Sequence, residues 1–152
     1  MQDTPDSNPG SPETILAFDF GLRRIGVAVG QSVTSSANPL GVVANSDNGP
    51  DFDKISRLIN EWRPSRLVVG LPMHSDGEPG EMQAHVEKFV RDLWRYNLKV
   101  DTVDERYTSL DAEEALKSAR ASGSRGRITK EAIDSAAAVF IAERFLTGRT
   151  NV

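Results

Sequence analysis

Three carboxylates carry the chemical interest of this 152-residue chain: Asp19, Glu105 and Asp134. Asp19 closes the apolar run Ile15, Leu16, Ala17, Phe18, so it stands at the C-terminal end of an expected first strand. Ligands of open α/β sheets gather outside those strand ends. A carboxylate partly buried there costs free energy unless a cation or a donor answers it. Glu105 follows the strand-like stretch 99–104, and Asp134 lies in the first turns of a helix that runs on through Ala136, Ala137 and Ala138. Each acid has an ordinary explanation. Asp19 can be a turn aspartate satisfied by neighbouring amides, and Glu105 can form a surface ion pair with Arg106 that is worth little. Asp134 can simply complement a helix dipole. Taken singly, these explanations are simpler. Three acids on elements whose ends converge are harder to dismiss, because like charges sharing a site repel. Clustered hard oxygen ligands suit Mg²⁺ or Mn²⁺. The chain has no cysteine, which excludes thiolate metal sites and disulfide scaffolds. His74 and His85 show no partner spacing and read as surface or loop histidines, and Ser32, Ser35 and Ser36 lack the motif of a nucleophile elbow.

The elements that position these acids follow from apolar periodicity. Residues 15–20 and 25–30 read as two strands joined by Gly21, Leu22, Arg23 and Arg24, a hairpin signal. A weak third strand is expected over 40–44, and Asn48-Gly49-Pro50 punctuates the chain before a helix. Ile55, Leu58, Ile59 and Trp62 share one helical face, and Pro64 ends that helix. Residues 66–70 read as a buried strand, 81–96 as a second helix and 99–104 as a strand. Thr108 or Ser109 can cap a helix to about 121, and Thr129 can cap a last helix. This order predicts an α/β fold: a mixed five-stranded sheet, opening as an antiparallel meander and continuing through β-α-β crossovers, with helices on both faces.

Composition bounds the rest. A charged fraction of 26% and a hydrophobic fraction of 38% fit one globular domain large enough for its own core. No apolar run reaches the roughly 20 residues that span a bilayer, and the first 14 residues lack the basic and apolar blocks of a signal peptide. A cytoplasmic location without membrane contact is the resulting expectation. Residues 1–13, with Asp3, Asp6 and Glu13, read as a disordered acidic tail, leaving 14–148 as the domain. Subtracting those three acids from the net charge of −4 leaves −1. Within that near-neutral body, Lys117, Arg120, Arg125, Arg127 and Lys130 form a run of five bases without an acid, beside Gly123 and Gly126. It is either a solvated loop or a flexible basic arm for phosphates.

Four motifs in order give a resemblance. D-F-G-L-R-R-I-G-V-A at 19–28, Gly70-Leu71-Pro72 with Asp76-Gly77, Asp104-Glu105-Arg106-Tyr107-Thr108-Ser109, and Asp134 with Ala137 and Ala138 resemble the YqgF (RuvX) family over about residues 14–147. The family is similar in fold to ribonuclease H and to the RuvC resolvases. The resemblance implies a hydrolase that cleaves phosphodiester bonds during 5′-end maturation of pre-16S rRNA in ribosome biogenesis. Resolution of Holliday junctions in DNA recombination and repair is the older proposal. It also implies Asp19, Glu105 and Asp134 as catalytic residues holding Mg²⁺ or Mn²⁺, with two ions about 3.5–4 Å apart for an in-line displacement. Arg24, Lys117, Arg120, Arg125, Arg127 and Lys130 would then grip phosphates of pre-rRNA or branched DNA, free or within ribosomal precursor particles, without reading bases. A monomer or a homodimer is compatible with these expectations, a four-way junction requiring the dimer.

Three other classes compete. A non-catalytic nucleic-acid-binding module on the same fold would bind without metal-dependent cleavage. The hairpin around Asp19 also resembles the phosphate loop of actin-like ATPases, which need two such domains. Asp19-Phe20-Gly21 is no protein-kinase motif, since no Gly-rich or catalytic loop precedes it. A sheet ordered as in ribonuclease H would place the strand ending at Gly70 between those ending at Asp19 and Glu105. Gly70 would then either leave a side-chain-free trough between two carboxylates or serve a turn with positive φ.

Overall fold

The computed structural model describes residues 12–71, 81–104 and 130–150. Continuous apolar runs buried on both faces build β1 (Thr14–Asp19) and β2 (Arg24–Gln31), and β3 (Ser36–Ser46) follows through a tight turn. β4 (Gly49–Pro50), α1 (Phe52–Trp62), β5 (Arg66–Leu71) and α2 (Glu81–Leu93) come next. A 3₁₀ turn at Trp94–Tyr96, β6 (Lys99–Asp104) and α3 (Lys130–Thr150) complete the described elements. The sheet order is β4-β3-β2-β1-β5-β6, antiparallel from β4 to β1 and parallel from β1 to β6.

The sheet has six strands where five were expected. The extra strand is the two-residue β4, which folds back on β3 through Asp47 and Asn48 and pairs Ser46 with Gly49. Two residues are too few to show a period. β3 also runs longer than residues 40–44, because pairing with β2 overrides the weak strand propensity of Asn38, Pro39 and Gly41. The second helix stops at Leu93, where the 3₁₀ turn and a left-handed Asn97 (φ 58°) end it. The first helix behaves as read: Asp51 caps it by accepting from the Lys54 N–H, and Arg63 in the left-handed region ends it before Pro64. The helix expected to end near residue 121 lies outside the described residues.

Strand alternation divides the sheet into two working faces. Leu16, Phe18, Ile25, Val27, Leu67 and Val69 point toward α1 and α2, where Ile55, Val86, Phe89 and Leu93 complete a buried core. Phe89 anchors it, its ring centroid 5.6 Å from Phe18 edge-on and 5.2 Å from Phe20. Ile15, Ala17 and Val68 point the other way, against Ile141, Ala142 and Leu146 of α3. α3 comes close because β2 offers it Gly26, Ala28 and Gly30 on that face. A Cβ built on Gly30 would stand 3.1 Å from Ile15, 3.2 Å from Leu146 and 3.3 Å from Ala142. Helices thus cover both faces, as the element order predicts.

At the N-terminal ends of the parallel strands, Arg66 is buried (6% exposed) and bridges three segments. Its Nε donates to Glu13 at 3.0 Å, an Nη donates to Asp101, and its guanidinium stacks over Phe145 of α3 at 5.6 Å. Burial opposes the charge, but the hydrogen bonds and charges of Asp101 and Glu13 outweigh it and hold the Arg66 pKa above its ordinary value. Composition places Glu13 in the acidic tail, yet it is buried and also accepts from Ser65. Composition could not show this, because its cation is 53 residues away in sequence. Residues 1–11 lie outside the described residues.

Candidate functional site

Asp19 is the last residue of β1, half-buried, and alternation puts it on the same face as Ile15 and Ala17, the face that α3 covers. Glycines flank it. Gly26 of β2 is its direct partner across the antiparallel pair. On the other side Phe18 pairs with Val69, so the next residue of β5 in register is Gly70. Gly70 is a buried strand residue paired with Val103 of β6, and the positive-φ glycines among the described residues are Gly41 and Gly49. The turn explanation for Gly70 therefore fails. The strand order is the expected one, with β5 between β1 and β6, so the outer two are separated by two spacings, roughly 9–10 Å.

The hairpin that follows Asp19 is fixed by its backbone. A Cβ on Gly21 would sit 2.5 Å from the Arg24 carbonyl oxygen, so only glycine fits the approach. Asn45 of β3 donates from Nδ2 to the Gly21 carbonyl at 2.7 Å, and its N–H donates to the Arg23 carbonyl at 3.0 Å. Sequence reasoning missed Asn45; β3 also holds Ser36, Asn38 and Ser46, so one more polar residue near its end gives no local signal. Arg24 opens β2 two residues before Gly26 and shares its face, so it stands on the Asp19 side of the sheet.

α3 brings the third acid. Ser135 is buried against the sheet: its Oγ accepts from the Gly41 N–H at 3.3 Å and lies 3.5 Å from the Val27 carbonyl, to which it donates. Val27 pairs with Phe18, the residue before Asp19. Farther along, Ala142 and Leu146 reach Gly30 and Ile15, at the opposite end of those strands. The helix therefore starts at the Asp19 end, and the Asp134 backbone lies there, on the same face. The side chains of Asp134 and Lys130 lie outside those described, as do Glu105, Lys117, Arg120, Arg125 and Arg127 entirely. Among the described residues no three His, Asp or Glu side chains gather to hold a metal.

A cavity of about 540 Å³ opens on the other face, lined by Phe20, Leu22, Asn45, Asp47, His85 and Lys88 among others. It does not include Asp19. His85 is exposed on α2, away from the carboxylate, as expected of an ordinary surface histidine. No described helix is long and apolar enough to cross a membrane.

Residues 13–148 match a family model described as "RuvX: Holliday junction resolvase". The chain belongs to the RuvX family. Curated relatives in the family span nearly the same length. A protein of Paraburkholderia xenovorans named "Putative pre-16S rRNA nuclease" is 44% identical over 140 residues, 91% of each chain. A protein of the same name from Hahella chejuensis is 43% identical, covering 88% of this chain and 83% of its own. Among solved structures, T. thermophilus RuvC in complex with a Holliday junction substrate superposes with a TM-score of 0.55 at 15% identity, over 92% of this chain and 97% of that one. The yeast mitochondrial Holliday junction resolvase Ydc2 gives 0.55 at 10% identity, over 90% and 78%. The chain thus has the RuvC fold, of the ribonuclease H type.

Proposed function

We propose that this chain is a metal-dependent endonuclease that hydrolyses phosphodiester bonds, with the 5′ end of precursor 16S rRNA as its substrate and the cytoplasm as its place of action. The observation that carries the reading is the setting of Asp19. A strand-end carboxylate stands between two glycines, at the end of the sheet where the helix bearing Asp134 begins. The names of the relatives support the substrate class.

The donor set fits a hard divalent cation: carboxylate oxygens, no thiolate in the chain, and His85 on the far face. Asp19, Glu105 and Asp134 would hold Mg²⁺ or Mn²⁺, which when bound supplies Lewis-acid stabilisation of the phosphate and an activated water. Everything else falls to the chain. Gly26 and Gly70 present no side chain beside Asp19, which leaves its carboxylate approachable by a phosphodiester. Arg24 adds positive charge on the same face, and the run from Lys117 to Lys130 binds the backbone of the nucleic acid electrostatically. Such contacts position a strand without reading its sequence.

The family description favours a second substrate, a four-way DNA junction, whose scissile bond offers the same chemistry. One experiment separates the readings: purified protein with Mg²⁺ or Mn²⁺ on a 5′-extended 16S precursor RNA and on a synthetic junction, beside Asp19→Asn. Cleavage of the RNA, lost in a variant that melts within a few degrees of the parent, supports the proposal. Junction cleavage alone reassigns the substrate. Wild-type cleavage by Asp19→Asn removes the site, and nucleic-acid binding without cleavage by the parent chain returns a non-catalytic binding module.

A further inference from the structure

The strand that receives Ser135 is irregular at that point. Opposite Val27 stands Gly41, yet opposite the next residue, Ala28, stands Pro39; Leu40 is an extra residue. This is a β-bulge, and Gly41 adopts φ +101°, a conformation that side-chain-bearing residues avoid. A bulge takes backbone groups out of the ladder. Here the Gly41 N–H finds its acceptor in the Ser135 hydroxyl, and that hydroxyl in turn reaches the carbonyl of Val27, Gly41's own partner. Ser135 is 6% exposed in a stretch of alanines, and it sits on the sheet beside the residue pair next to Asp19. An alanine there would leave the Gly41 N–H without this acceptor.

We propose that Ser135, through the Gly41 bulge, is the positioning residue of the site: it fixes the height and rotation of the first turns of α3, and with them the Asp134 carboxylate relative to Asp19. This rests on the reading of Asp134 as a metal ligand. The bond clamps a helix to a sheet at the point where one residue of register matters most. Asp134 directly precedes Ser135 in α3, so the backbone position that the Ser135 hydrogen bonds set is passed straight to Asp134. Farther along, Ala142 and Leu146 pack against Gly30 and hold the helix to the sheet, and the Ser135 hydrogen bonds add a directional restraint at its first turns. Ser135 touches neither substrate nor metal in this account. It acts through Asp134 alone.

The test compares Ser135→Ala, Ser135→Cys and Ser135→Thr with the parent chain and with Asp134→Asn. Mn²⁺ affinity is measured by calorimetric titration of the metal alone, alongside melting temperature and steady-state cleavage of the precursor RNA at several metal concentrations. Ser135→Ala is expected to stay folded and to weaken Mn²⁺ binding by roughly tenfold or more, the usual cost of removing a group that orients a ligand. Its kcat falls and recovers in part at high metal, while its KM for RNA holds. Ser135→Thr keeps the hydroxyl and restores the affinity. Ser135→Cys fills the same space with a weaker donor; it is expected between Ala and the parent, and it carries the test if the alanine variant does not fold. A folded Ala or Cys variant with parental metal affinity and parental kcat overturns the proposal, as does a loss of melting temperature unaccompanied by weaker metal binding. Asp134→Asn separates the two failures. If it binds Mn²⁺ as the parent does, the ligand reading itself falls and takes this inference with it. If it loses the metal while Ser135→Ala does not, only the positioning role falls.

Discussion

Replacing Arg66 by alanine removes a cation that joins Glu13, β5 and β6 at the base of the parallel strands. The two partners contribute unequally. The Glu13 side chain is 7% exposed and the Arg66 side chain 8%, whereas that of Asp101 is 40% exposed. Taking the cation from a buried carboxylate costs about 3–5 kcal/mol, while a half-exposed pair contributes about 1 kcal/mol or less. The stacking over Phe145 adds about 0.5–1 kcal/mol. Arg66→Ala should therefore destabilise by about 4 kcal/mol, and Asp101→Asn by under about 1 kcal/mol. At roughly 2–4 °C per kcal/mol for a chain of this size, the first should lower Tm by about 10–15 °C. Urea unfolding of metal-free protein, followed by the fluorescence of Trp62 and Trp94, measures both. Because the Arg66 pKa is raised on folding, its contribution is complete at every pH below the ordinary arginine value and falls only as pH rises through the higher folded one. The difference between parent and Arg66→Ala that comes from deprotonation of Arg66 should accordingly be constant from about pH 6 to about pH 9. Equal costs for Arg66→Ala and Asp101→Asn, or a cost below about 1 kcal/mol for the former, would refute the argument from burial.

Gly70→Val should weaken Mn²⁺ binding well beyond any change in Tm, since it fills the space beside Asp19 on a strand where valine is at home; parental metal affinity in a folded variant sinks the trough. Exchanging Arg125 and Arg127 for alanine should weaken nucleic-acid binding and reduce the slope of log K against log salt by roughly 2, one per lost phosphate contact, and an unchanged slope returns the segment to a solvated loop. Phe89→Ala, which takes the central ring from between Phe18 and Phe20, should cost about 3–5 kcal/mol by denaturant unfolding. The specific activity of its folded fraction should be unaltered.

Much of this was legible in the chain because the relevant physics is local. Short apolar runs marked β1, β2, β5 and β6 to within a residue or so, whereas the face on which Asp19 lies was set only by the sheet order and α3. The i, i+3, i+4 pattern and Pro64 bounded α1. Features that depend on a distant partner were not legible. Glu13 looks like tail until Arg66 closes on it, and β4 exists only because β3 offers it an edge. The bulge at Leu40 and Gly41 is invisible until β2 sets the register. For the same reason Ser135 showed only as one small residue among alanines. The run announced close packing, but the acceptor role of its hydroxyl is written in β3.

The two-faced sheet has a consequence for how such a chain can change over generations. Aromatic packing on the α1 and α2 side and carboxylate geometry on the α3 side share a backbone but no side chains. Substitutions among Phe18, Phe20, Phe52 and Phe89 can retune the temperature at which the protein melts while leaving the charged face as it was. Conversely, a costly substitution near Asp19 can be offset by better packing behind it, on the far side of the same strands. On the function proposed above, selection for heat tolerance and selection for substrate act on opposite surfaces of one layer, each with its own supply of acceptable substitutions.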